Sequence, residues 1–273
     1  MSDNRPIGVF DSGLGGLTAV THIVDLLPDE KFVYFGDTAR TPYGSKTVAT
    51  IKKFSLQITN FLQKHNVKAI VIACNTVSAT CKDFIQERCP KIPVFGIIEP
   101  TAELVARTYS KNNNIGIIGT KVTTESKQYE ITIKNYNGNC HIYSKACPLF
   151  VPVIEEGIRD KHIMIPIIKY YLDEFLEENN ITDLILGCTH YPMLQNFLHE
   201  LYPSVNIINP SEVIAVKIRD VLENYELLAT PNNKVNHFYA SDLSKGFISM
   251  INDILPDKQH IIQFKKFDDP EER

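Results

Sequence analysis

At 273 residues, with 44% hydrophobic and 22% charged residues and no low-complexity tract, the chain has the composition of an ordinary globular protein, long enough for two domains of ~100 to 200 residues. Its 28 basic and 32 acidic residues give a net charge of -4 without any long basic run, which argues against nucleic acid as a partner. No window approaches the ~18 consecutive apolar residues of a membrane span, and the opening "MSDNRPIGVF" lacks a basic region leading into an apolar one, so a cytoplasmic protein with no membrane partner is expected.

In chain order, short apolar runs at 7–10 (IGVF), 32–35 (FVYF), 69–73 (AIVIA), 94–98 (VFGII), 115–119 (IGIIG) and 184–187 (LILG) predict strands. Amphipathic stretches separate them. Residues 47–65 place Val48, Ile51, Phe54, Ile58, Phe61 and Leu62 on one face at helical spacing, and residues 162–179 read as a second helix. The alternation predicts an α/β fold of mostly parallel sheets flanked by helices. After Pro210 the strand-like HFYAS (237–241) and HIIQF (260–264) are too little for a third domain, and this tail is expected to return to the first unit.

The chain repeats itself. "IGVFDSG" at 7–13 pairs with "IGIIGTK" at 115–121 at an offset of 108, and "IVIACNT" at 70–76 pairs with "LILGCTH" at 184–190 at an offset of 114. Similar offsets in the same order imply two related α/β units. In such units ligands bind beyond the carboxyl ends of the strands, where helix starts present unpaired N–H groups.

Every motif that stands out lies at such an end. "DSGLGG" at 11–16 reads either as a phosphate loop or as a tight glycine turn into a helix, but it lacks the Walker lysine and G-x-G-x-x-G spacing. Asp11 and Ser12 stand where a carboxylate needs a partner or a task. "TPYGSKT" at 41–47 is a Pro/Gly turn, a plain loop unless Tyr43 offers its hydroxyl. Cys74 and Cys188 end their strands and are followed by polar "NT" and "TH", so a helix start is expected to favour a thiolate at each. A free thiol has a pKa of ~8.5, and a modest lowering would make each cysteine a usable base. His190 either assists Cys188 or only caps a helix, and Asp11 could serve Cys74 likewise. The other cysteines, Cys81, Cys89, Cys140 and Cys147, have neither CxxC spacing nor a disulfide framework and read as free packing thiols. Two thiols on opposite walls of a cleft would suit inversion of a stereocentre, which needs one group to take a proton and another to deliver one on the opposite face.

Taken together, "DSGLGG", "TPYG", "ACNT", "GCTHYP" and "CPLFVPVIEEG" resemble the cofactor-independent aspartate/glutamate racemase family, in order from about residue 7 to residue 210. His190 after "GCT" points to the glutamate racemases within it, with aspartate as the alternative substrate. The resemblance implies two pseudosymmetric domains, residues 1–98 with 210–273 carrying Cys74 and residues 99–209 carrying Cys188, with the active site in the cleft between them. It implies Cys74 and Cys188 as catalytic bases and Asp11, Ser12, Tyr43, Gly44, Asn75, Thr76, Thr189 and His190 as the substrate shell. Asp11 and His190 would tune the thiols, with Glu155 as a further acidic helper and Glu156 as the other candidate. It also implies no cofactor and no metal, and a supply of D-glutamate for peptidoglycan, hence for cell-wall biogenesis and cell shape. The chain departs from many members in lacking a "GPR" run after "TPYG". Only six residues precede "IGVF", so the activator site of members with an N-terminal extension is not expected. No helix shows a decisive exposed stripe, which leaves a homodimer open. Two rival readings remain at this point: a cysteine hydrolase or thiol oxidoreductase using Cys188 with His190, which has no need of Cys74, and a binding module in which "DSGLGG" holds a phosphate.

Overall fold

A computed structural model describes residues 2–136, 138–231, 235–255 and 259–267. Its strands are β1 (Ile7–Asp11), β2 (Phe32–Gly36), β3 (Ala69–Ile72), β4 (Val94–Gly96), β5 (Asn114–Gly119), β6 (His141–Ala146), β7 (Asp183–Gly187), β8 (Asn206–Ile208), β9 (Asn236–Ala240) and β10 (His260–Phe264). They form a six-stranded sheet, order β10-β9-β2-β1-β3-β4, and a four-stranded sheet, order β6-β5-β7-β8. All the strand pairings are parallel. The run β2-β1-β3-β4 corresponds strand for strand to β6-β5-β7-β8, which is the duplication predicted from the two offsets; β9 and β10 are an addition to the first copy.

The helices are α1 (Leu17–Leu26), α2 (Val48–Lys64), α3 (Asn75–Arg88), α4 (Ile98–Thr108), α5 (Lys121–Glu125), α6 (Gln128–Asn135), α7 (Phe150–Glu155), α8 (Lys161–Glu178), α9 (Gln195–Leu201), α10 (Pro210–Asn224) and α11 (Lys245–Ile254). Residues of β1, β2, β3 and β7 are buried throughout, as continuous apolar strands must be when helices cover both faces of a parallel sheet. Ile51, Ile58 and Leu62 of α2 pack with Phe10, Phe35 and Ile72, while Met164, Ile168 and Leu172 of α8 do the same beneath the second sheet. The largest core cluster joins the two sheets, for it holds Val9 and Val71 from one, Ile117 and Ile185 from the other, and α4 and α10 residues Ile98, Val105, Ile214 and Ile218.

Some expectations need correcting. Val48 is largely exposed, because it opens α2 before the helix meets the sheet. The "VFGII" run yields only the three-residue β4, since Ile97 turns the chain and Ile98 starts α4. β6 and β8 gave no apolar run to read: β6 is a half-buried edge strand, HIYSKA, and β8 has three residues. The tail does return to the first sheet. β9 pairs with β2, and the buried Lys68 ammonium binds Glu30 Oε1 at 2.8 Å and the carbonyls of Asp3 and Leu227 at 2.7 Å each, fastening the segment after α10.

Candidate active site

The register brings the motifs together before any side chain is considered. Asp11 ends β1 opposite Gly36, and Cys74 follows β3 on the adjacent strand; in the second sheet Gly119 of β5 pairs with Gly187 of β7, and Cys188 comes next. The two strand ends face each other across a cavity lined by Cys74 and Cys188, by Ser12, Tyr43, Gly44, Asn75, Thr76, Thr189 and His190, and also by Thr41, Pro42, Thr120 and Val151. Both thiols are buried, at 4% and 6% exposure. The cavity is about 20 Å³, room for roughly one water.

The glycine loop at 13–16 is a turn into α1, and Thr189 and His190 of the second half pack against it. A methyl group added at Gly15 would stand 2.5 Å from Thr189 Oγ1 and 2.6 Å from His190 Nδ1. Only glycine lets the "GCTH" turn approach this closely, which removes the physical basis of the phosphate-loop reading. Asp11 is wholly buried and finds its partners here: Gly13 N–H donates to it at 3.0 Å and Thr189 Oγ1 at 3.3 Å, so a carboxylate of one half is anchored to the motif of the other. Burial pushes the Asp11 carboxyl above its ordinary value, opposed by the charge of His190 and the N–H groups of Gly13 and Gly16.

Around Cys74 the expectation of a lowered thiol fails. Cys74 does cap α3, and its thiol reaches Ser12 Oγ at 3.5 Å, yet burial and then the charge of Asp11 push it up to about 12. Desolvation of a fully enclosed sulfur outweighs the helix start. No hydrogen bond joins Asp11 to Cys74 among the described residues; Asp11 acts on that thiol through its charge.

Around Cys188 the surroundings differ. The chain makes a short 3-10 turn, Tyr191–Leu194, rather than an α-helix, with His190 at its start. His190 Nδ1 lies 3.9 Å from Cys188 Sγ, and Nε2 lies 3.0 Å from Glu155 Oε1 at the end of α7. Burial alone would lower the imidazole, but hydrogen bonds to Cys188 and Glu155 and the charges of Cys188 and Asp11 carry it up to about 10. The neighbours of the ring thus favour its protonated form. Of the two carboxylates in "VIEEG", Glu155 makes this contact, while Glu156 is exposed at the end of the helix.

The remaining shell residues divide by what their polar atoms already do. Tyr43 lines the cavity, but its hydroxyl donates to Asp37, which also accepts from Arg40 Nε at 2.7 Å and Ser241 Oγ at 2.7 Å. It is thus not a free donor, contrary to the expectation for "TPYG"; Asp37, absent from the sequence reading, has taken it. Gly44 allows close contact with Thr120 of the other half, where an added methyl would lie 2.8 Å from Thr120 Oγ1. Thr76 Oγ1 is 3.0 Å from Thr120 Oγ1, a further link across the cleft. Asn75 accepts from the Tyr129 hydroxyl at 2.6 Å, leaving its Nδ2 without a partner among the described residues. Thr120 was readable: it lies 108 residues after Ser12, the offset of the first repeat. Thr41, whose buried Oγ1 also lacks a partner, had no comparable signal.

Among the described residues, no group of three or more His, Cys, Asp and Glu side chains is arranged to hold a metal ion, no helix is long and apolar enough to cross a membrane, and all six cysteines are free.

A profile of the family described as Asp/Glu/Hydantoin racemase matches residues 15–218. The chain belongs to this family. The racemase is 43% identical over 253 residues to the glutamate racemase of a Sulfurihydrogenibium species, covering 92% of this chain and 94% of that protein. Among solved structures, the glutamate racemase of Francisella tularensis in complex with D-glutamate is similar at 42% identity and a TM-score of 0.88, covering 97% of this chain and 98% of that one. A Bacillus anthracis glutamate racemase isoform is similar at 33% identity and the same TM-score of 0.88, covering 98% and 99%. The racemase thus shares the α/β architecture of those enzymes, with its two parallel sheets flanked by helices.

Proposed function

We propose that this racemase interconverts L-glutamate and D-glutamate with two cysteines and no cofactor, Cys188 removing the α-proton of the L enantiomer and Cys74 that of the D enantiomer. The observation that carries the reading is that two thiols from corresponding strand ends of the two halves open on a single cavity. A hydrolase built on Cys188 and His190 would have no use for Cys74 there, and no observation favours it. Glutamate rather than aspartate is supported by the names of relatives at about 40% identity and by the D-glutamate in the Francisella tularensis complex.

For L to D turnover, Cys74 starts as the proton donor, consistent with a thiol held protonated by burial and the charge of Asp11. The His190 imidazolium, backed by Glu155, offsets negative charge on Cys188 as it takes the proton. The reverse reaction exchanges these protonation states. Substrate carboxylates are met by N–H groups at the start of α3 and by Ser12, Asn75, Thr76 and Thr189, with Tyr43 and Gly44 shaping the wall. The closed cavity excludes water from the carbanion, so the halves open to load and close to react.

The reading includes the division into two domains, residues 1–98 with 210–273 and residues 99–209, which is supported by strand membership of the two sheets. It extends to a cytoplasmic supply of D-glutamate for peptidoglycan. The test is circular dichroism of L-glutamate, and separately of L-aspartate, incubated with purified protein without pyridoxal phosphate. Decay of the glutamate signal alone is the expected result; decay of aspartate instead, or of neither, contradicts the proposal.

A further inference from the structure

Asn75 opens α3 and Tyr129 lies in α6, on the opposite half of the molecule. Both side chains are buried at 2% exposure, and the Tyr129 hydroxyl donates to Asn75 Oδ1 at 2.6 Å. Asn75 lines the cavity between the two cysteines, and its Nδ2 has no partner there. A buried amide donor left unmade is costly, so one that lines a cleft between two candidate bases is placed for a ligand.

The hydroxyl decides which way the carboxamide faces. A phenol carries one proton, and burial pushes the Tyr129 hydroxyl well up, so it remains a donor at any working pH. With Oδ1 toward Tyr129, that proton has its acceptor and the NH₂ group is left for the cavity. Turned by 180°, the amide would still make one hydrogen bond to the phenol oxygen. The phenol proton would then lack its acceptor, and an amide oxygen would face the incoming carboxylate.

We infer that Tyr129 is a positioning residue for substrate binding: its hydroxyl holds the Asn75 carboxamide so that Nδ2 is the donor offered to a substrate carboxylate. The inference rests on the glutamate reading above and adds to it a residue that touches no reacting atom. Because the bond runs from α6 to α3, the orientation of a binding group on the Cys74 side is set by a residue from the Cys188 side.

The test is calorimetric binding of D-glutamate together with steady-state kinetics in both directions for wild type, Tyr129→Phe, Asn75→Ala and the double variant. Tyr129→Phe is expected to raise Kd and both KM values about tenfold, the equivalent of one hydrogen bond, with kcat changed less than about threefold. Asn75→Ala is expected to lose at least as much, and the double variant no more than Asn75→Ala alone, since Tyr129 acts only through that amide. Unchanged Kd and KM in Tyr129→Phe, a loss confined to kcat, or fully additive losses in the double variant would overturn the inference. Should Tyr129→Phe fail to fold, Asn75→Asp decides: it keeps an acceptor for Tyr129 but replaces the donor, so it must bind glutamate more weakly than Asn75→Ala, and binding at wild-type strength overturns the inference. A wild-type protein that neither racemises nor binds glutamate would remove the functional reading and this inference together, whereas an active wild type with an indifferent Tyr129 would remove the inference alone.

Discussion

The Cys74 and Cys188 ends of the molecule have the same strand order and the same strand-end thiol, each followed by two polar residues, yet the groups that surround the two sulfurs differ. At the repeat offset of 108, Asp11 corresponds to Gly119, so only the first half has a carboxylate at that strand end. At the offset of 114, Thr76 corresponds to His190, so only the second half has an imidazole two residues after its cysteine. Cys74 meets the Ser12 hydroxyl and the charge of Asp11, and its thiol is pushed up to about 12; Cys188 meets the His190 imidazole, backed by Glu155. Duplication thus explains why both sulfurs reach one cavity, and divergence explains why the two thiols have different neighbours on its two walls.

The comparison breaks most readily at the sulfurs. Cys74→Ala and Cys188→Ala are each expected to reduce turnover by about 10²- to 10⁴-fold in both directions, the usual contribution of a positioned acid or base, with an unchanged far-UV spectrum. If either variant retains a tenth of wild-type activity, the halves are not paired in function. A smaller effect sharpens the contrast. Asp11→Asn and His190→Asn are expected to lower kcat by roughly 10- to 100-fold, unequally in the two directions, since each supports one side. His190→Asn should affect L to D turnover more and Asp11→Asn the reverse. Enantiomers have an equilibrium constant of one, so KM must shift with kcat to keep kcat/KM equal in both directions. Progress curves from each enantiomer measure this, and equal changes in kcat and KM for both substrates would reduce the two residues to general positioning.

The parts of the site that follow from local pattern were legible in the sequence. Apolar runs ending in cysteine and glycine punctuation after the first strand are short-range signals, and with the matched offsets they sufficed for the strands other than β6 and β8 and for the two thiols. The partnerships that distinguish the halves join residues far apart in sequence: Thr189 to Asp11 across 178 residues, Tyr129 to Asn75 across 54 and His190 to Glu155 across 35. No periodicity encodes these. Tyr43 shows a different limit, for its phenol was visible but its capture by the buried Asp37 was not. The expected lowering of both thiols weighed the helix start without the enclosure, and at Cys74 the enclosure wins.

The central claim, that each cysteine serves one face of the α-carbon, is tested most directly by hydrogen exchange. Protiated L-glutamate is incubated with the protein in D₂O, the reaction is stopped early, and the enantiomers are separated and weighed by mass spectrometry. The thiol on the product face carries solvent deuterium, while the thiol that took the substrate proton can return it to the face it came from. The account predicts D-glutamate deuterated at the α-carbon alongside recovered L-glutamate that remains largely protiated, and the mirror pattern when the reaction starts from D-glutamate. Early D-glutamate that retains the substrate's own hydrogen would mean one base serves both faces, and would contradict it.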